Sequence, residues 1–215
     1  MKKQSEAVAD SVQPEPTDYG EKTMRFILAS KSPRRREILS GIGMKFDILE
    51  SSVDESVIPT TLEPRLYVQE LAMLKSTDVA SKVGEGSYVV GADTVVVHNG
   101  KIIGKPQNYD EAFAMLSSFS ASYHKVVSGI SVTNSSNMTT VTDYCETEVY
   151  FSDMSDEEIS DYINTYKPFD KAGAYGIQEY AGVFIDKING DFYNVVGLPL
   201  CKLYKLFKKE FGVII

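Results

Sequence analysis

The chain has 215 residues, is 43% hydrophobic and 24% charged, and carries a formal net charge of −8. That length supports one sizeable core or two lobes sharing a cleft, and the acidic balance argues against sequence-independent binding to nucleic acid and against docking on acidic lipid. Cys145 and Cys201 stand far apart without metal-like spacing and read as reduced thiols of a cytoplasmic protein, and neither an apolar leader nor a membrane-spanning run is present.

Residues 1–22 are polar, contain Pro14, Pro16 and Gly20, and lack apolar periodicity. They read as a disordered extension ahead of a single domain over 23–215. Met24 to Ala29 is a short apolar run suited to a buried strand. Ser32 then fits an N-cap and Pro33 the first helical position, because the N–H that proline lacks has no helical partner there. Arg34 and Arg35 fall on the same first turn. Free backbone N–H groups, the positive end of the helix dipole, Ser30, Ser32 and two guanidiniums together make an anion site suited to phosphate. Ile38, Leu39 and Ile42 share one side of this helix, which should stop near Gly41 or Gly43.

Lys45 to Leu49 alternates like a strand. Asp54 and Glu55 follow in a loop, where they could hold a metal or a ribose hydroxyl or simply be solvated. Thr60 and Glu63 have capping-box spacing ahead of a second helix, on which Leu66, Leu71, Leu74 and Val79 share a face. Lys75 lies at the edge of that face, and composition alone favours solvent exposure for it.

Ser87 to Val97 is a nearly continuous β-branched run, expected to be a central strand covered on both faces. It contains one acid, Asp93, behind Gly91-Ala92. A buried carboxylate is costly unless paired, hydrogen-bonded or metal-bound, so Asp93 reads as a metal ligand or as a base activating water. Gly91-Ala92 would admit a ligand or metal close to the backbone. Asn99-Gly100 is a hairpin turn into Lys101–Ile103. The Gly100–Pro106 string is not a P-loop: its spacing is one residue short and Pro106 replaces the hydroxyl residue. Lys105 can still reach a phosphate as a point charge.

A helix is expected over 108–118, with Ala112, Phe113 and Leu116 inward. Two long strands follow at 123–133 and 138–150, joined by a polar hairpin loop. His98 and His124 lack metal-like partners and read as structural or surface residues. Ser155 caps a helix to about Tyr162. Asp170 to Gln178 combines small residues with an acid, a lysine and an amide, allowing close ligand approach, and Gln178 can read a base edge. A strand at 183–188, a turn at Asn189-Gly190 and a C-terminal helix carrying Leu200, Leu203, Leu206 and Phe207 complete the chain.

Four stretches taken together closely resemble the Maf family of nucleoside triphosphate pyrophosphatases. They are LASKSPRRREIL at Leu28–Leu39, GADTVVVHNGKIIGKP at Gly91–Pro106, and DKAGAYGIQ at Asp170–Gln178 with NVVGLPL at Asn194–Leu200. The resemblance runs from about Met24 to the C-terminus. It implies an α/β fold with an extended mixed sheet, flanking helices, two lobes around a deep nucleotide cleft, and dimers. It also implies hydrolysis of a nucleoside triphosphate to monophosphate and pyrophosphate with Mg²⁺ or Mn²⁺. Position by position, Ser30, Ser32, Arg34 and Arg35 match the phosphate-binding turn, Glu55 a cleft acid and tentative metal ligand, and Lys75 the helical lysine. Asp93 matches the catalytic acid, Lys105 a second phosphate lysine, and Gln178 a cleft amide. The DKAGAY form looks like the branch acting on dTTP and UTP. Glu179 departs from the family's usual glycine after the glutamine, which bears on base preference. A non-catalytic nucleotide-binding regulator linked to cell division is the alternative, although it would not need the aligned Asp93, Lys75 and Lys105. A serine hydrolase using Ser30 or Ser32 with His124 lacks a nucleophile elbow.

Overall fold

A computed structural model describes residues 24–215; the expected extension over 1–22 lies outside the described residues. Strand β1 (Arg25–Leu28) leads through Ala29–Ser32 into α1 (Pro33–Gly41). A short β2 (Asp47–Ile48) precedes α2 (Pro64–Ala80) and the long β3 (Ser87–His98). Next come β4 (Lys101–Ile103), α3 (Tyr109–Phe119), β5 (Tyr123–Asn134), β6 (Thr140–Phe151) and α4 (Asp156–Tyr166). The chain finishes with β7 (Ile185–Asn189), α5 (Phe192–Val196) and α6 (Leu200–Leu206), which runs into one wide turn over Phe207–Phe211. The seven strands form one mixed sheet in the order β2-β1-β3-β5-β6-β7, with β4 paired to the far end of β3. The pairings β1–β2 and β1–β3 are parallel and the rest antiparallel.

Alternation along β3 sorts the two faces. Val89 packs with Val79 and Ala80 of α2, and Val95 with Val68. On the opposite face Val90 and Ala92 join Ile38 and Leu39 of α1 with Leu203 and Leu206 of α6. A second core sits at the distal end of the strands, where Val96, Val126 and Val149 meet Leu116 and Phe119 of α3 and Ile159 and Ile163 of α4. These two cores are the two expected lobes.

Several local expectations are corrected. Gly91 admits helix α2, not a ligand: a Cβ there would lie 2.1 Å from Ala72 O. Glu63, not Thr60, caps α2, its carboxylate accepting from the Arg65 and Leu66 amides. Leu66 is 53% exposed and Ile42 45% exposed, because the inward face of α2 runs through Val68, Leu71, Lys75 and Val79 and α1 stops before Ile42. The 45–49 strand shrinks to two residues. Helix α4 continues to Tyr166, where Lys167 turns left-handed (φ 45°) ahead of Pro168. The 183–188 strand begins only at Ile185, and the five-residue α5 has no signal in the sequence pattern.

His124 on β5 is 1% exposed among Phe119, Phe151 and Tyr175, with Nε2 2.8 Å from the Tyr175 hydroxyl and Nδ1 unpartnered among the described residues. Burial pushes its pKa down from 6.5 to about 3. The unfolded chain therefore binds the extra proton between those values. The contribution is whole above pH 6.5 and is lost as pH falls towards 3, at up to about 1.4 kcal/mol per pH unit. Urea unfolding at stepped pH checks this: the acid-side slope should be shallower in His124→Phe than in the parent chain.

Candidate functional site

Strand β1 covers the edge of β3 only at Ser87–Val90, and β4 covers it only at Val96–His98. Residues 91–95 are left uncovered on that edge, and a cleft of about 1120 Å³ opens there between the lobes. Ser30–Arg35 line one wall, and α2 contributes Tyr67, Leu71 and Lys75 at helical four-residue spacing. The hairpin brings Lys101 and Lys105, and the opposite wall is Asp170–Glu179. The lining holds Lys31, Arg34, Arg35, Lys75, Lys101, Lys105 and Lys171 against Glu55, Asp93, Asp170 and Glu179. In an acidic chain this is a local excess of positive charge, as a small polyanion requires.

Lys75 is the hub. Its ammonium lies 2.7 Å from Asp93 Oδ1 and 3.0 Å from Glu55 Oε1. It is only 9% exposed, against the exposure that composition favours, because Gly91 lets α2 settle onto β3 and carries Lys75 inward. A buried ammonium is tolerable only with such partners. Asp93 Oδ2 makes no hydrogen bond to the described residues and remains for a ligand. Burial raises the Tyr67 phenol, helped by the nearby charges of Asp93 and Glu55.

The two arginines differ sharply. Arg35 donates from Nε to Gly197 O (2.8 Å), from Nη1 to Ser30 Oγ (3.0 Å) and Ala92 O (2.9 Å), and from Nη2 to Thr94 Oγ1 (3.1 Å). Four of its five N–H groups are thereby committed, so it braces the turn against β3 and the Gly197 loop. Burial lowers its pKa, with the Asp93 charge opposing. Arg34 makes no hydrogen bond to the described residues and lines the cleft. Ser30 Oγ also accepts from the Ser32 amide (3.2 Å), fixing the turn ahead of α1. Ser32 occupies the N-cap position without a side-chain cap, which leaves its hydroxyl to the cleft.

The site residues matched to the family — Ser30, Ser32, Arg34, Arg35, Glu55, Lys75, Asp93, Lys105 and Gln178 — line this one cleft, whereas Asp54, considered with Glu55 as a ligand, is not among the lining residues and accepts from the Ser56 amide. Residue-type patterns missed Tyr67, Thr94 and Gly197. Tyr67 was within reach, since it lies two helical turns before Lys75. No group of three or more metal-ligating side chains occurs among the described residues, and no described helix is long and apolar enough to cross a membrane.

The Maf-like protein family model matches residues 25–210, nearly the whole described chain. The chain belongs to the Maf family. A dTTP/UTP pyrophosphatase of Alkaliphilus metalliredigens is 51% identical over 189 residues, covering 88% of this chain and 97% of that protein. One from Thermoanaerobacter sp. is 45% identical, covering 88% and 98%, and one from Clostridium perfringens 49%, covering 85% and 95%. Among solved structures, a nucleoside-triphosphatase / dITP/XTP pyrophosphatase from Mycobacterium abscessus overlaps this Maf chain at a TM-score of 0.38 and 13% identity, over 60% of this chain and 73% of that one.

Proposed function

We propose that this Maf chain hydrolyses nucleoside triphosphates, dTTP and UTP above all, at the α–β phosphoanhydride bond to give nucleoside monophosphate and pyrophosphate. The carrying observation is the Lys75–Asp93–Glu55 cluster in a cation-lined cleft beside the start of α1. The names of its relatives support the same activity.

Such a reaction needs charge neutralisation and an aligned water more than covalent chemistry. Arg34, Lys105, the Ser30 and Ser32 hydroxyls and the α1 N-terminus hold the polyphosphate, with Arg35 bracing their turn. Asp93 Oδ2 takes a proton as the water oxygen bonds to the α-phosphorus. The α–β P–O bond breaks and its electron pair leaves with pyrophosphate, whose growing charge Lys75 and Lys105 stabilise.

The donor set fits a divalent cation. Glu55 and Asp93 would hold Mg²⁺ or Mn²⁺ through hard carboxylate oxygens, too few for a cage made by the protein alone. When bound, that cation would neutralise phosphate charge. The reading includes a homodimer, carried by the family resemblance alone, a cytoplasmic setting, suggested by the two unpaired cysteines, and a role in removing surplus or modified pyrimidine nucleotides before polymerases use them. Binding without turnover would favour a regulator.

The test is pyrophosphate release from a panel of nucleoside triphosphates with Mg²⁺ or Mn²⁺. Release paired with monophosphate and strongest for dTTP or UTP is expected. Binding without release across the panel overturns catalysis.

A further inference from the structure

Lys171 is only 8% exposed, yet its ammonium belongs to the cleft wall and has no part in the phosphate chemistry above. It sits between two acids, 2.8 Å from Asp170 Oδ1 and 3.2 Å from Glu179 Oε2. Burial opposes ionisation of Asp170, but its hydrogen bond to Lys171 and the charges of Lys171 and Arg34 hold its carboxyl below the usual range. Glu179 follows Gln178, and its side chain is 43% exposed. A Cβ on Gly176 would come within 3.1 Å of Lys171 Cε and 3.2 Å of Glu179 Cδ, so that glycine lets the pair lie close along the wall. The segment is itself anchored: Gly173 N donates to Gly104 O (3.0 Å), and Tyr175 is tied to His124.

We propose that the Lys171–Glu179 pair is a base-reading device that selects nucleobases carrying a keto oxygen beside a ring N–H. The inference rests on the nucleotide cleft of the preceding section. An ammonium donates only and an ionised carboxylate accepts only. Held side by side, they match a carbonyl acceptor next to an N–H donor, the edge that uracil and thymine present at O4 and N3. Hypoxanthine and guanine present the same pair at O6 and N1. Cytosine reverses both, turning an amino group towards the ammonium and a bare ring nitrogen towards the carboxylate, and adenine does likewise. Mispaired charged groups discriminate far better than a missing contact of a neutral pocket. The pair does not read the thymine methyl, so uracil and thymine nucleotides are accepted alike. Glutamine at either position can present a donor or an acceptor by turning its amide, and so loses the fixed polarity.

The experiment compares UTP with CTP for the parent chain, Glu179→Gln and Lys171→Gln, by calorimetric binding without added metal and by pyrophosphate release with Mg²⁺. Inosine triphosphate is included in the binding arm. The parent is expected to prefer UTP, and each variant to narrow the UTP-to-CTP ratio by about tenfold or more. Melting temperatures separate loss of fold from loss of selection. Equal binding of UTP and CTP by the parent, or variants that weaken both nucleotides by the same factor, overturns the inference and leaves the pair a structural staple. Selective UTP binding that the variants abolish, with no pyrophosphate released by the parent, overturns the catalytic reading and sustains the inference.

Discussion

Asp93→Asn is expected to lower pyrophosphate release from UTP by about 10²- to 10⁴-fold, the span typical of removing a positioned general base. The substitution is conservative where it matters for folding. An asparagine carbonyl can still accept from Lys75, now 2.7 Å from Asp93 Oδ1, and the side-chain volume hardly changes. Glu55 keeps its own contact with Lys75 at 3.0 Å. Urea unfolding should therefore stay close to that of the parent chain, and nucleotide binding should hold or tighten as one negative charge leaves a site for polyanions. What disappears is the basic oxygen at Oδ2, which both proton abstraction and cation binding require. Turnover within a few-fold of the parent would remove Asp93 from either role. Titrating Mg²⁺ in the variant separates the two: a base alone leaves the metal requirement unchanged, whereas a ligand raises it.

The site was more legible in the sequence than the helices that hold it. Ser32-Pro33 followed by two arginines announces a helix start aimed at an anion, because capping and dipole effects are local and read in one turn. Asp93 stands out because an acid inside a β-branched strand needs a reason. Lys75 could not be placed the same way. Its burial depends on Gly91 facing Ala72 and Gly129 facing Val68, contacts between residues far apart in the chain. Arg35 gave no sign of being a brace, since its partners Ala92, Thr94 and Gly197 come from β3 and the loop before α6. Thr60 looked the better cap for α2, but Pro64 at the first helical turn fixes the start one residue after Glu63, whose carboxylate takes the job. Strand ends were less legible still: β2 is shorter than its alternation suggested because both of its residues are exposed and only β1 supports it.

Gly91→Ala should cost about 3 kcal/mol or more of stability and lower turnover beyond what unfolding explains. The added Cβ would sit 2.1 Å from Ala72 O and 2.9 Å from Ser76 N. Both are backbone atoms of α2, so no side chain can swing aside; either the helix lifts or β3 bulges. Overpacking against movable side chains typically costs ~1–3 kcal/mol, and a backbone obstacle belongs at or above the top of that range. The Ser76 hydroxyl, bonded to Ser131 (2.8 Å) and Thr133 (2.9 Å) across the same interface, resists the lift and would lose those partners if it occurred. Lys75 lies between the two obstructed residues, so any displacement of α2 moves its ammonium away from Asp93. Gly84→Ala is the control: a Cβ there meets nothing within 4 Å, and a change within about 0.5 kcal/mol is expected. Urea midpoints and kcat, measured on the folded fraction of both variants, decide the matter. Parent-like stability in Gly91→Ala would mean that α2 is not seated on β3 as closely as the cluster at Lys75 requires. Lost stability with unchanged kcat would mean that the cluster tolerates a shifted helix.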